Sequence, residues 1–242
     1  MIFTLIRVEL LKVRRTLAIL MMLACPLMVV LLSFGMLLKT HSKLDWPMYW
    51  LGNTAIWCYF MLPLYIALVT ALLNGSEHRN STWRLMMSLP ITAGRLYLAK
   101  FLLAAVFVFG ANLALLALVV LSIFALYFLG YPIKGAFNYD AWHSIFALSV
   151  CALPILVVQH LVSWHVKNIV APLALGVVAT MGIMQIGQSK EWVYYPWTYA
   201  MMAVHGSSPT MRDQAVLLAA VVGLGLLFLS YLWATRKACE FP

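Results

Sequence analysis

The sequence predicts an all-α, polytopic membrane protein, and three features support this fold class: the composition, the long apolar runs and the positions of the charges. Of the 242 residues, 64% are hydrophobic and only 10% are charged, whereas soluble domains contain roughly 25% charged residues. A soluble fold could not bury this much apolar surface, so lipid must solvate much of it. The seven acidic residues all lie between apolar runs or near a chain end.

Six runs without Asp, Glu, Lys or Arg predict six transmembrane helices, because a spanning helix needs about 20 apolar residues. The runs are residues 17–38, 50–73, 101–129, 142–164, 169–187 and 215–235. The fifth run is short and contains Pro172, Gly176 and Gly182, which favours a bend or close packing against a neighbour. No segment is large enough to fold outside the membrane, so we predict one transmembrane domain over residues 1–242.

The basic residues predict the orientation of these spans. With the N-terminus inside, eleven of the sixteen Lys and Arg residues lie on the inner side, as the positive-inside rule requires. The inner residues are Arg7, Lys12, Arg14, Arg15, Arg79, Arg84, Arg95, Lys100, Lys167, Arg236 and Lys237. Both termini are therefore predicted to be cytoplasmic. Because the basic residues flank apolar runs and form no single stripe, we predict no nucleic-acid binding despite the net charge of +9.

The first 15 residues predict an amphipathic helix. Ile2, Ile6, Leu10 and Val13 share an arc of roughly 80° on a helical projection. This pattern indicates an interfacial helix on the cytoplasmic leaflet, with its cations near anionic lipid headgroups. The alternative is a simple positive-inside anchor for the first span, and the pattern does not decide between the two.

A second amphipathic helix is predicted at about 77–89, in the inner loop between spans two and three. Ser76 can cap this helix, and Pro90 disfavours helix at the residue before it. Three large apolar side chains fall within an arc of about 100°: Trp83, Met86 and Met87. An exposed face of this kind suits docking into a groove on a partner protein. The alternative is a helix that lies on the membrane surface, which would not require the break at Pro90.

These two segments resemble those of the type-2 ABC exporter permeases. In the inner loop, the family pattern corresponds to Glu77, Trp83, Leu85 or Met86, Leu89-Pro90-Ile91-Thr92, Arg95 and Lys100. The first segment, which includes Glu9, Lys12 and Arg15, resembles the family's N-terminal elbow helix. Within the family, the chain most resembles the small permeases of lantibiotic immunity and bacitracin resistance.

The resemblance implies a permease subunit of the bacterial cytoplasmic (inner) membrane, in contact with membrane lipids. Two separate ATPase subunits would dock on the coupling helix, and a second permease chain, identical or paralogous, would complete the transporter. The docking residues would be Glu77, Arg79, Trp83, Arg84, Met86, Met87, Leu89 and Pro90. This chain has no G-x-x-x-x-G-K-[ST] motif, so we expect it to bind no cofactor and its partner to hold ATP and Mg²⁺.

Polar and aromatic side chains within or beside the spans are candidates for a substrate path or an outer gate. They are Asn53, Gln159, His160, Trp192, Tyr195 and Trp197. Gln159 and His160 lie near the inner end of the fourth run, where we expect water to reach them. For the polar residues the alternative is helix–helix hydrogen bonding, worth about 0.6–2 kcal/mol each. For the aromatic residues the alternative is an interfacial belt. The segment 191–202 is denser in aromatic residues than a belt needs, and it predicts a short helix that dips into the outer leaflet.

Several functions are disfavoured by what the spans lack. No carboxylate occurs in any run, whereas ion-coupled carriers usually place one at the midplane. The sequence has no protease motif, and its four cysteines have no metal-site spacing. The aromatic outer segment, together with the lack of a hydrophilic charged pathway, favours export of an amphipathic peptide, an antibiotic or a lipid-like molecule. The alternatives are a membrane scaffold or sensor subunit and an ion-coupled carrier.

Overall fold

A computed structural model describes residues 2–14, 16–40, 44–79, 92–187 and 189–237. Every regular element in these ranges is helical, as predicted. The α-helices are α1 (Ile2–Val13), α2 (Leu17–Thr40), α3 (Trp46–Ile56), α4 (Leu62–Arg79), α5 (Ala93–Phe128), α6 (Ala141–Cys151), α7 (Leu153–His165), α8 (Val170–Ile186), α9 (Tyr199–His205) and α10 (Pro209–Lys237).

Five helices in the described ranges are long and apolar enough to cross a membrane. They are Leu17–Lys39, Trp46–Gly75, Ala93–Phe128, Ala141–His165 and Pro209–Thr235. The fifth predicted span forms the shorter apolar helix α8, whose 17 residues extend about 25 Å at 1.5 Å per residue. The hydrocarbon core is about 30 Å thick, so α8 is shorter than a full span. The chain is thus a multi-pass, all-α membrane protein.

Prolines explain two irregularities inside the spans. A π-helix, Trp57–Met61, joins α3 to α4 just before Pro63. Because proline has no N–H group, Pro63 cannot make the usual bond to the carbonyl four residues earlier, and such positions favour a wider turn. Pro154 likewise lies in the first turn of α7, where the fourth span is interrupted at Ala152.

The α8 helix packs closely against α4 because a glycine lies at the contact. A Cβ atom added to Gly176 would lie 2.5 Å from the Cβ of Ala67 on α4. The Gln159 amide of α7 can donate to the Pro172 carbonyl at 3.1 Å and accept from the Gly176 N–H at 3.2 Å. The glycine lets three helices meet without a gap. The sequence prediction of close packing in this run is therefore confirmed.

The bundle has two ends with different chemistry. The basic end comprises α1, the last turns of α4, the first turns of α5, residues 165–170 and the last turns of α10. The aromatic end comprises the start of α3, residues 129–140 and the segment from Gly187 to Met211.

Some aromatic residues of the aromatic end are structural and do not form a lipid-facing belt. The Trp46 and Trp50 indoles are buried, and they donate to the carbonyls of Pro132 (3.0 Å) and Ala136 (2.8 Å). These bonds hold the loop of residues 129–140 against α3. Trp142 and Tyr194 are 70% and 85% exposed, so these two side chains are placed as the belt interpretation expects.

Candidate functional site

The N-terminal helix α1 packs on the start of α5 through a charged cluster. The Glu9 carboxylate accepts from Lys100 Nζ at 2.8 Å and from Lys12 Nζ at 2.6 Å. Both Glu9 and Lys100 are buried, at 3% and 1% exposure. Lys100 also donates to the carbonyl of Leu73 in α4 at 3.1 Å. One ammonium group therefore joins α1, α4 and α5.

The charged cluster corrects two expectations from the sequence. Glu9 is buried, although no buried acid was expected, and the buried face of α1 passes through Glu9 and Val13 while Leu10 is 46% exposed. Burial alone would raise the pKa of Glu9, but the ammonium groups of Lys100 and Lys12 outweigh it and hold the pKa below its usual value. The sequence contains both partners, yet their separation of 91 residues hides the pairing.

The first residues of the predicted docking helix continue the helix of the second span. The α4 helix continues to Arg79, so the backbone at Glu77 and Arg79 belongs to α4, where a separate helix from about 77 was predicted. The rest of the docking set lies outside the described residues: Trp83, Arg84, Met86, Met87, Leu89 and Pro90. Arg15 also lies outside them. The two roots of this loop, α4 and α5, are joined by Lys100.

His160 lies in a closed polar cluster toward the basic end. Its Nε2 faces the carbonyl of Tyr97 at 3.3 Å, and its Nδ1 faces the Asn74 amide nitrogen at 3.2 Å. Because a carbonyl can only accept, Nε2 carries the proton and Nδ1 accepts from Asn74. Asn74 also donates to Ser163 at 2.7 Å. His160 is fully buried. The expectation from the sequence that water reaches it is therefore wrong.

The six residues predicted for a substrate path lie in three places. Gln159 and His160 are buried between helices toward the basic half. Asn53 is buried in α3, where its amide donates to the Tyr49 carbonyl at 2.9 Å. Trp192, Tyr195 and Trp197 lie together in the segment after α8, and the rings of Tyr195 and Trp197 stack with centroids 5.7 Å apart. The structure does not bring the whole set into one site.

The segment after α8 folds against the protein. It forms two short 3₁₀-helices, Lys190–Tyr194 and Pro196–Thr198, followed by α9. The Thr198 hydroxyl donates to the Trp192 carbonyl at 2.9 Å, and the Tyr195 hydroxyl donates to the Ala179 carbonyl of α8 at 2.5 Å. Internal bonds of this kind allow irregular backbone at membrane depth.

A cavity of about 530 Å³ lies between this segment and the π-helix of the second span. Its lining residues are Tyr59, Gly187, Ser189, Lys190, Trp192, Met201, Met202, His205, Gly206, Ser207 and Met211. Ligand pockets have volumes of about 300–1,000 Å³, so the size suits a small ligand. Burial lowers the pKa of His205, whose Nε2 lies 3.4 Å from the Thr54 hydroxyl. Sequence reasoning found Trp192 but missed the other lining residues, because they come from segments far apart along the chain and share no local motif.

Comparison with known proteins supports the membrane-transport interpretation. No curated protein matches the chain. The model of the family described as ABC-2 family transporter protein matches residues 5–183, about three quarters of the chain. This range includes most of α1, the charged cluster and both roots of the loop between α4 and α5. The chain therefore belongs to the ABC-2 family of transporter proteins, as a transmembrane permease component of an ABC transporter.

Proposed function

We propose that this permease exports an amphipathic peptide, an antibiotic or a lipid-like molecule across the bacterial cytoplasmic membrane. Its energy comes from two ATPase subunits that dock at the inner loop, and its termini lie in the cytoplasm. A second permease chain, identical or paralogous, completes the transporter. The membership of the ABC-2 family implies an ABC ATPase partner in general. The basic end, with its excess of Lys and Arg, is the side that the positive-inside rule assigns to the cytoplasm.

The observation that carries this proposal is the link that Lys100 makes at the base of the loop. Lys100 contacts α1 through Glu9 and α4 through Leu73, and it belongs to α5 itself. A force on residues 80–91 would therefore reach spans two and three and the N-terminal helix as one unit. Buried, hydrogen-bonded charges keep a single geometry because breaking the pair leaves an uncompensated charge. Such a base suits a loop that receives a mechanical input.

The test is co-purification of the permease with candidate ABC ATPases that are co-expressed with it. Truncation of a buried interface aromatic typically weakens binding at least about tenfold. We expect Trp83→Ala to reduce the retained ATPase by that factor and to abolish ATP-dependent transport. Trp142→Ala is the matched control, because this exposed indole lies at the opposite end of the bundle.

Three outcomes would contradict the proposal. If Trp83→Ala retains both the ATPase and transport, the docking site is elsewhere. If the complex hydrolyses ATP without moving any cargo, the chain is a scaffold or sensor. If transport survives ATP depletion and collapses with the proton gradient, the chain is an ion-coupled carrier.

A further inference from the structure

We propose that the cavity at the aromatic end binds an anionic amphiphile, with the apolar tail inside and the anionic head at Lys190. This inference rests on the proposed function and names the class of molecule that the permease moves. The cavity lies within a single chain.

The inner wall of the cavity is apolar and adaptable. Trp192, Met201 and Met202 are 5%, 5% and 7% exposed, and Met211 and Tyr59 complete the apolar lining. Methionine side chains are unbranched and polarisable, so they fit tails of differing shape. Flexible Met-rich surfaces are used by proteins that accept several partners. This wall suits an alkyl or prenyl chain better than a ligand that needs directional hydrogen bonds.

The mouth of the cavity is polar and positively charged. Lys190 and Ser207 are exposed, and Ser189 lies beside them. Lys190 has no ion pair among the described residues, and it is the one Lys, Arg, Asp or Glu of the cavity lining in those ranges. Glu191 is exposed but does not line the cavity. An ammonium group beside hydroxyl groups binds a phosphate or carboxylate through charge-assisted hydrogen bonds.

The π-helix of the second span contributes to the space. Tyr59 is its middle residue, and it lines the same cavity as Met201 and Met202. Short π-helical turns are rare and occur frequently at functional sites. The wide turn and the segment after α8 are thus two independent irregularities that meet at one cavity.

The experiment uses the full-length permease in lipid nanodiscs, with and without its ATPase subunits. The probe is dodecyl phosphate with a photoreactive group at the end of its tail, and labelled residues are mapped by mass spectrometry. We expect labelling at Met201, Met202 or Tyr59. Unlabelled dodecyl phosphate should compete, whereas inorganic phosphate and dodecyltrimethylammonium should not, because one lacks the tail and the other carries the opposite charge.

Two variants and one control keep the proposal falsifiable. Lys190→Glu should raise the concentration for half-maximal labelling at least about tenfold, since a charge-assisted bond is lost. Lys134→Glu makes the same change of charge at an exposed site of the same end, and it should change this concentration less than about twofold. Met211→Trp should occupy part of the cavity and lower the labelling at Met201 and Met202.

Equal labelling in Lys190→Glu and Lys134→Glu would overturn the anionic head group. Labelling spread over lipid-facing residues such as Leu217 and Phe228, with no enrichment in the cavity, would overturn the site itself. Because the binding measurement needs no ATPase, its result is separate from the proposed transport. Binding without ATP-driven movement would support the cavity and contradict the export proposal. ATP-driven transport with no labelling of the cavity would support the export proposal and contradict the cavity as a binding site.

Discussion

Lys100 at the basic end and Lys190 at the aromatic end have opposite environments. Lys100 is 1% exposed and bonded to Glu9 and Leu73. Lys190 is exposed at the mouth of a cavity. A buried ammonium group requires partners because its desolvation costs several kcal/mol, whereas an exposed one remains available to a ligand. The helices of the basic end are thus held in one arrangement by buried charges, whereas the aromatic end leaves room for a bound molecule.

The largest expected effect comes from removing the buried cation. Lys100→Met removes the buried partner of Glu9 and leaves the partly exposed Lys12 as the remaining ammonium group beside it, which should lower the free energy of unfolding by about 3 kcal/mol. The matched change Lys12→Met removes the other partner of Glu9, but Lys12 is 35% exposed, so it should cost less than about 1 kcal/mol. Unfolding in mixed micelles with increasing dodecyl sulfate measures both. Equal losses of stability in the two variants would show that the burial of Lys100 does not determine its contribution to stability.

A smaller effect is expected where α8 packs on α4, midway between the two ends. Gly176→Ala places a Cβ 2.5 Å from the Cβ of Ala67, and neither atom can move without its backbone. Overpacking of this kind should cost about 1–3 kcal/mol. Gly225→Ala in α10 is the control, because a Cβ there meets nothing within 4 Å, and removing a helical glycine should be neutral or slightly stabilising. If both variants have the stability of the parent protein, α8 is not packed as tightly as the structure indicates.

The smallest effect is the dependence of stability on pH, which separates the charge of Glu9 from its packing. The pKa of Glu9 is lowered in the folded protein, so its ionisation favours the fold above the unfolded pKa of about 4.3. That contribution is lost as the pH falls through the lower, folded pKa. We expect no change from this group between pH 8 and about pH 5, and a decline in the stability of the parent protein below about pH 4. Glu9→Gln should flatten the decline, and an identical profile in the variant would contradict a role for the carboxylate charge.

Much of the fold could be predicted from the sequence, because lipid imposes a simple rule on each segment separately. Long apolar runs predicted the five spanning helices and the shorter α8 within one or a few residues at most ends. The largest errors lie at polar flanks: α5 begins at Ala93 and α10 at Pro209, ahead of the predicted runs, and α4 ends at Arg79, beyond its predicted run. Helices continue past the apolar run because their backbone bonds are internal and tolerate polar flanks.

The candidate sites could be predicted only in part. Glu9 and Lys100 were singled out separately by their resemblance to family motifs, but no local pattern joins residues that are 91 positions apart. His160 was expected near water because it lies close to the end of an apolar run, but two other helices exclude water from it, α4 through Asn74 and α5 through Tyr97. The cavity was missed because volume is a property of several elements together.

The amino-acid sequence was enough to show that the chain is helical and crosses a membrane several times, and to distinguish a basic end from an aromatic one. These properties follow from hydropathy and charge, which act on each segment independently. The packing of the helices was needed to show which polar groups are buried with partners, where α8 needs a glycine, and that an open cavity borders Lys190. Those outcomes depend on which side chains meet across the bundle, and contacts between distant segments have no signature along the chain.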